Sequence, residues 1–267
     1  MAEFVKRMDE GRLPDNAVAI TFDDGYLDNY ENALPLLELS GLPATLFLVT
    51  GHVDRAEPFW WDELAEMILT QEEACSLHFP LEGEVVALEW GTPADGVQGW
   101  CAWEPAFDGR HTAFLRLWTV LQRSRPDVRI DALARLRLLL GDGAREGDRV
   151  VTRSELGRLT ANNAFGIEAH SVTHPALTAL NADEAAWEVG QSKIACEELT
   201  GRPVPGFAYP YGDMSPEVRA AVIASGFDWA CSTRYGAVDR KSDRYALPRL
   251  PVANWTGEHF AHELRGL

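Results

Sequence analysis

Residues 18–22 form a short apolar run that ends at Asp23-Asp24-Gly25, and this opening constrains the fold more than any other part of the chain. Helical spacing follows over residues 30–39 and stops at Gly41-Leu42-Pro43, after which a second apolar run fills residues 44–49. Strand, helix and strand joined by short connections predict a parallel sheet covered by helices. Functional residues in such sheets gather beyond the C-terminal ends of the strands. Two adjacent carboxylates stand at that place here. Asp and Gly also serve plain turns, so the segment needs a partner before it means chemistry.

The partner is Glu168-Ala169-His170-Ser171-Val172-Thr173-His174-Pro175, which follows a predicted strand at residues 166–169. It sets two imidazoles one helical turn's worth of sequence apart. One carboxylate and two imidazoles are a common ligand set for a catalytic divalent metal, with positions left open for water and substrate. The spare carboxylate is then available as a base on that water.

The α/β rhythm continues with helices at residues 181–200, capped at Asn181 or Asp183, and 216–225. Strands are expected at 206–209, 229–232 and 247–252, the last weakened by its prolines. Between the two halves the pattern changes. Helices are expected at residues 60–69, 112–122 and 130–140, the last broken by Gly141-Asp142-Gly143. A short hairpin is expected near 84–90, and Thr152 with Glu155 reads as a capping box. Scattered aromatics, including Trp90, Trp100 and Trp103, mark this stretch as an insertion with either a satellite core or an exposed binding surface. The expectation is one domain over residues 1–267, with an insertion at 52–150 that contributes to the pocket.

The chain has 267 residues, 46% of them hydrophobic, enough for a sizeable core. Its 41 acidic and 24 basic side chains give a net charge of −17. Nucleic acid and anionic membrane are therefore excluded as expected partners, since both need basic surfaces. No apolar run is long enough to span a bilayer. The first sixteen residues are too polar for a secretory h-region. The four cysteines, Cys75, Cys101, Cys196 and Cys231, lack metal or redox spacing and read as buried thiols. A cytoplasmic location is the expectation.

Thr21-Phe22-Asp23-Asp24-Gly25 together with His170-Ser171-x-x-His174-Pro175 resembles the polysaccharide deacetylases, carbohydrate esterase family 4, with the NodB-like domain. Phe207-Ala208-Tyr209-Pro210-Tyr211-Gly212, Gly226-Phe227 and Leu247-Pro248-Arg249 agree in order and spacing, covering about residues 1–50 and 150–252. The resemblance implies a distorted, incomplete (β/α) barrel. It implies a metal-dependent hydrolase that removes acetyl groups from N-acetylated sugars, on polysaccharide or on a nucleotide- or lipid-linked carrier. Asp24, His170 and His174 match the metal ligands, Asp23 the general base, and Tyr211 the oxyanion-stabilising position. Zinc is the expected metal, with cobalt, nickel, manganese or iron also compatible with the ligand set. Pro210 and Trp229 are candidates for the substrate-binding wall, with core packing as the default reading for Trp229.

Two departures from the family pattern stand out. Where many members carry the arginine that orients the base, this chain has Ala208, and Arg249 is the candidate substitute. The block that supplies the general acid has no clean match; His259 and His262 occupy a late position, in an apparent terminal helix. Trp60 and Trp61 fit either sugar stacking or core packing. His52, His78 and His111 read as structural, and Asp28 and Asn29 as caps. Hydrolysis of an acetyl ester or a formamide, and a catalytically silent carbohydrate binder, remain the alternatives; the oligomeric state is open.

Overall fold

The computed structural model describes residues 1–92, 100, 102, 104–141 and 149–266. In chain order the elements are α1 (Ala2–Asp9), β1 (Ile20–Phe22), α2 (Leu34–Ser40), β2 (Ala44–Leu48), α3 (Trp60–Leu69), β3 (Cys75–Leu81), β4 (Glu84–Trp90), α4 (Gly109–Arg123), α5 (Pro126–Leu140), α6 (Arg153–Leu159), β5 (Phe165–Ala169), α7 (Ala182–Thr200), β6 (Gly206–Ala208), α8 (Pro216–Ala224), β7 (Trp229–Tyr235), β8 (Leu247–Arg249) and α9 (Gly257–Gly266). They divide into two compact units: Met1–Asp54 with Val150–Leu267, and Arg55–Arg149.

The first unit is built on a six-stranded sheet in the order β1-β2-β5-β6-β7-β8, parallel at every pairing. It is the open, curled sheet of an incomplete (β/α) barrel. β2 is buried at all five residues, as a central strand covered on both faces must be. A parallel sheet sends all its C-terminal ends the same way. The segments after β1, β5 and β6 and the end of β8 therefore converge, although they are far apart in sequence.

Inside the curl, Phe47, Ala208, Trp229, Cys231 and Leu247 pack together with Val5 of α1. Sequence reading gave α1 no role; half of its eight residues are polar, and it joins the core through buried Val5, with Met1 and Met8 partly buried against the same cluster. Trp229 is 2% exposed and meets Phe47 edge-on, with ring centroids 5.9 Å apart. A β-carbon on Gly206 would overlap the indole, so the glycine that opens β6 makes room for it. The expected substrate-wall role of Trp229 is thus corrected: the side chain points into the core, where its large apolar area is removed from water.

The second unit pairs β3 with β4 as an antiparallel hairpin beside α3, α4 and α5. The expected hairpin is longer than its sequence signal, because Pro80 within β3 disguised that strand. Trp60 is buried, while Phe59 stacks on Trp61 at 4.5 Å, so core packing accounts for that aromatic run. His111 is buried beside Asp108 and under Trp100. Cys75, Cys196 and Cys231 are free thiols. Cys101, Trp103 and the Asp142-Gly143 break lie outside the described residues. Among the described residues, no helix is long and apolar enough to cross a membrane.

Candidate metal centre

Asp23 and Asp24 leave the end of β1 in a tight turn: the Gly25 N–H donates to the Asp23 carbonyl at 2.8 Å. Gly25 has φ +93, and a β-carbon there would meet Leu48 at 2.6 Å, so both backbone and space demand glycine. Asp28 and Asn29 do not cap the following helical turn; the Asn29 amide donates to the Asp28 carboxylate instead.

His170 follows β5 directly. Its Nδ1–H donates to the Ala208 carbonyl at 2.7 Å, which fixes the ring and leaves Nε2 for a ligand. That Nε2 lies 3.5 Å from Asp24 Oδ1, and His174 Nε2 lies 3.3 Å from the same oxygen. The three ligand atoms all fall within 4.8 Å of one another. Two donors bound tetrahedrally at about 2.0–2.1 Å stand roughly 3.3 Å apart, so the aspartate–histidine separations fit a shared divalent ion. Burial lowers the pKa of His170, partly opposed by the Asp23 charge and the bond to Ala208, so the imidazole is kept neutral as a ligand must be.

The remaining carboxylate is held from the other side of the sheet. Arg249 Nη1 and Nη2 donate to the two Asp23 oxygens at 2.7 and 2.8 Å, while its Nε–H donates to the Ser232 carbonyl at 3.0 Å. A register shift between Cys231 and Tyr235 in the β7–β8 pairing lies beside this arginine. Burial pushes the Asp23 pKa up, but the Arg249 charge and hydrogen bonds outweigh it, and the net direction is down. Asp23 is therefore an anion at neutral pH. Arg249 thus stands against the Asp23 carboxylate, while Ala208 has no polar side chain to offer it.

Pro210 and Tyr211 sit in the turn after β6. Pro210 is buried beneath that turn, and the Tyr211 ring meets His174 edge-on at 4.5 Å. Asp213 ties the turn to the chain beyond His174, accepting from the Thr178 N–H at 2.7 Å and its hydroxyl at 2.8 Å. His259 is exposed, stacked on Trp255 at 4.8 Å, and ion-paired with Glu263; His262 is exposed too. Neither belongs to the cluster of three ligands.

The backbone around the centre is unusual. Asp24, Ser171, His174 and Tyr211 have φ of 70, 64, 55 and 58, a left-handed region that side-chain-bearing residues seldom enter. Such conformations persist where surrounding structure over-determines them, and they collect at functional sites. Sequence reading found the ligands but missed these constraints, together with the Ala208 carbonyl, Asp213 and Glu188. Glu188 alone had a local signal, an acid in helical register with the buried side of α7.

Comparison with known proteins agrees with this geometry. The polysaccharide deacetylase family model matches residues 10–76 and 143–230, more than half of the chain. A poly-beta-1,6-N-acetyl-D-glucosamine N-deacetylase of Staphylococcus epidermidis is 42% identical over 53 residues, which is 20% of this chain and 18% of that protein. The chain thus aligns with less than a fifth of that relative's length. Among solved structures, the Streptococcus pyogenes deacetylase PplD, in complex with acetate, is similar with a TM-score of 0.59 at 15% identity, covering 99% of this chain and 78% of the other. A de-N-acetylase from Aggregatibacter actinomycetemcomitans gives 0.55 at 14% identity, covering 98% and 80%. At these identities the likeness is one of fold.

Proposed function

The chain belongs to the polysaccharide deacetylase family, and from that premise we propose that it is a metal-dependent hydrolase that removes the acetyl group from an N-acetylated sugar. The observation that carries this reading is the Asp23 carboxylate, locked by Arg249 next to the Asp24–His170–His174 ligand set. Zinc is the first metal to test; cobalt, nickel, manganese and iron suit the same donors.

A divalent ion in this site supplies Lewis acidity, which polarises an amide carbonyl and acidifies water. The protein supplies the rest. Asp24, His170 and His174 present one oxygen and two nitrogens to one point. Asp23 accepts the proton of the attacking water, and Arg249 keeps its carboxylate ionised and aimed. The Tyr211 backbone N–H serves the oxyanion, a donor of the kind whose loss costs roughly 10²–10³ in rate. The leaving amine needs a proton, and Asp23, once protonated, can return it.

The test is acetate release from a panel of N-acetyl and O-acetyl sugars, oligosaccharides and nucleotide sugars. It uses metal-stripped protein with zinc or cobalt restored. Metal-dependent acetate from an N-acetyl compound supports the proposal. Release from O-acetyl compounds alone moves the assignment to an esterase, and metal bound without any release moves it to a different acyl group.

A further inference from the structure

The buried side of α7 runs through Ala185, Glu188, Val189, Ser192 and Cys196. That is the spacing of a core-facing stripe, yet one member is a carboxylate only 5% exposed. A charge persists at such a position only where hydrogen bonds replace the lost water. Here they all come from one place. Glu188 Oε2 accepts the Val172 N–H at 2.8 Å and the Thr173 N–H at 2.9 Å, and Oε1 accepts the Thr173 hydroxyl at 2.6 Å. Val172 and Thr173 lie between the two histidines of the metal centre.

We infer that Glu188 is a positioning residue for that centre: it clamps the His170–His174 loop and so sets the separation of the two imidazoles. The inference rests on the metal-centre reading above.

The loop needs an external template. Ser171 and His174 both take positive φ, so the local backbone does not favour the observed path. Its carbonyls are held from the β2 side, where the Thr50 and Gly51 N–H groups donate to Ser171 and Val172 at 3.3 and 2.8 Å. The His174 N–H is held within the loop by the Ser171 hydroxyl at 3.0 Å. The two consecutive amides between are oriented by Glu188. Carbonyls fixed on one side and amides on the other leave the peptide planes of residues 171–173 no freedom to rotate, and the direction of the His174 side chain follows. Glutamate suits the task because one oxygen serves two adjacent donors while the other takes the hydroxyl.

The experiment uses the full chain and reads metal binding rather than turnover. Zinc affinity is measured by chelator competition, and the visible spectrum of the cobalt-loaded protein reports ligand geometry. Four substitutions are compared with wild type: Glu188→Ala, Glu188→Gln, Glu188→Asp and, as a buried core control on α8 outside the loop, Val222→Ala. Glu188→Ala is expected to weaken zinc binding about 10- to 100-fold, the range for a hydrogen-bond partner behind a metal ligand, and to shift the cobalt bands. Glu188→Gln keeps an oxygen for both amides and is expected to restore affinity to within a few-fold of wild type. Glu188→Asp keeps the charge but withdraws it by one methylene, and is expected to bind weakly. Val222→Ala is expected to lower thermal stability without moving the cobalt bands.

Unchanged affinity and spectrum in Glu188→Ala overturn the inference. If that variant fails to fold, Gln and Asp carry the test, and equal behaviour of those two overturns it. A shift in Val222→Ala as large as in Glu188→Ala overturns it as well, since general loosening would then suffice. A wild-type protein that holds no metal overturns the metal-centre reading, and this inference with it, whereas wild-type binding with an indifferent Glu188 overturns the clamp alone.

Discussion

Each of the two units holds a carboxylate gripped by arginine, and the two grips differ in kind. In the insertion unit, Asp108 takes Arg110 Nη2 at 2.6 Å, the Arg110 and His111 N–H groups at 2.9 and 3.1 Å, and His111 Nδ1 at 2.7 Å. Every partner lies within three residues, and the cluster is a helix N-cap for α4. In the barrel unit, Asp23 meets Arg249 across 226 residues of chain, and no helix terminus benefits. The local grip satisfies orphan amides and secures secondary structure. The long-range grip serves no capping need, and it stands beside three metal-ligand candidates. A carboxylate–arginine pair is thus a functional signal only when the fold, rather than the adjacent sequence, brings it together.

Six substitutions can break or sharpen that contrast. The largest effect is expected at the ligands: Asp24→Ala or His174→Ala should weaken metal binding by more than the roughly 100-fold that loss of an outer hydrogen-bond partner costs. Elemental analysis after gel filtration checks this, and full retention of metal would reject the ligand assignment. Asp23→Asn comes next. It should keep the metal and lose turnover by about 10² or more, the usual worth of a positioned base. Near-normal acetate release would remove Asp23 from the mechanism.

Arg249→Ala should then lower the rate by roughly 10- to 100-fold, corresponding to loss of charged hydrogen bonds worth about 1.5–3 kcal/mol. Arg249→Lys should recover only part, because an ammonium cannot make the two-point contact. A variant that simply unfolds would favour a structural role and erase the contrast with Asp108. The smallest effect is expected at Asp108→Ala: loss of about 1–2 kcal/mol of stability with metal content unchanged.

That last stability difference has a definite pH dependence. Burial raises the Asp108 pKa, but the Arg110 and His111 bonds outweigh it and hold the carboxyl at about 2, below its ordinary 3.8. A depressed folded pKa gives stability that is present above the unfolded value and lost as pH falls through the folded one. Wild type should therefore outlast the alanine variant in urea by a constant margin near neutrality, and the margin should shrink between pH 4 and pH 2. A margin that does not change with pH would mean the carboxylate charge is irrelevant to the cap.

How far the sequence could be read follows from the same distinction between local and distant causes. The Thr152 capping box depends on four adjacent residues and was legible, closed by Glu155; at the later helix the sequence left Asn181 and Asp183 open as caps, and Asn181 takes the place, in a box with Glu184. The parallel pairing of β1 and β2 followed from strand spacing and short connections, whereas the place of β5 beside β2, across the whole insertion, did not. The ligand set was legible because the two segments carrying it are short and dense in chemistry. Arg249 could be nominated only because the resemblance said an arginine was missing; nothing near residue 249 points at residue 23. Trp229 stayed open between wall and core because a tryptophan near a pocket and a tryptophan in a core look alike in one dimension, and Gly206, whose emptiness admits the ring, lies on a different strand. α1 was overlooked because eight residues give barely two turns, too short a window for the Phe4, Val5 and Met8 spacing to stand out.

The left-handed backbone at Asp24, Ser171, His174 and Tyr211 has a consequence for any attempt to harden this protein against heat. For a residue with a side chain, that conformation costs roughly 1–2 kcal/mol relative to the right-handed alternative, and glycine escapes most of it. A search for stabilising substitutions would accordingly be drawn to these four positions as strongly as to Asn16, Asp54, Glu82 and Asn163, which share the conformation. Three of the first four form or touch the metal centre and the fourth anchors its loop, so the gain in melting temperature would be taken directly from the geometry that holds the ligands. Thermal improvement of this chain should start instead at Asn16, Asp54, Glu82 and Asn163, where the same backbone strain can be relieved without touching a ligand.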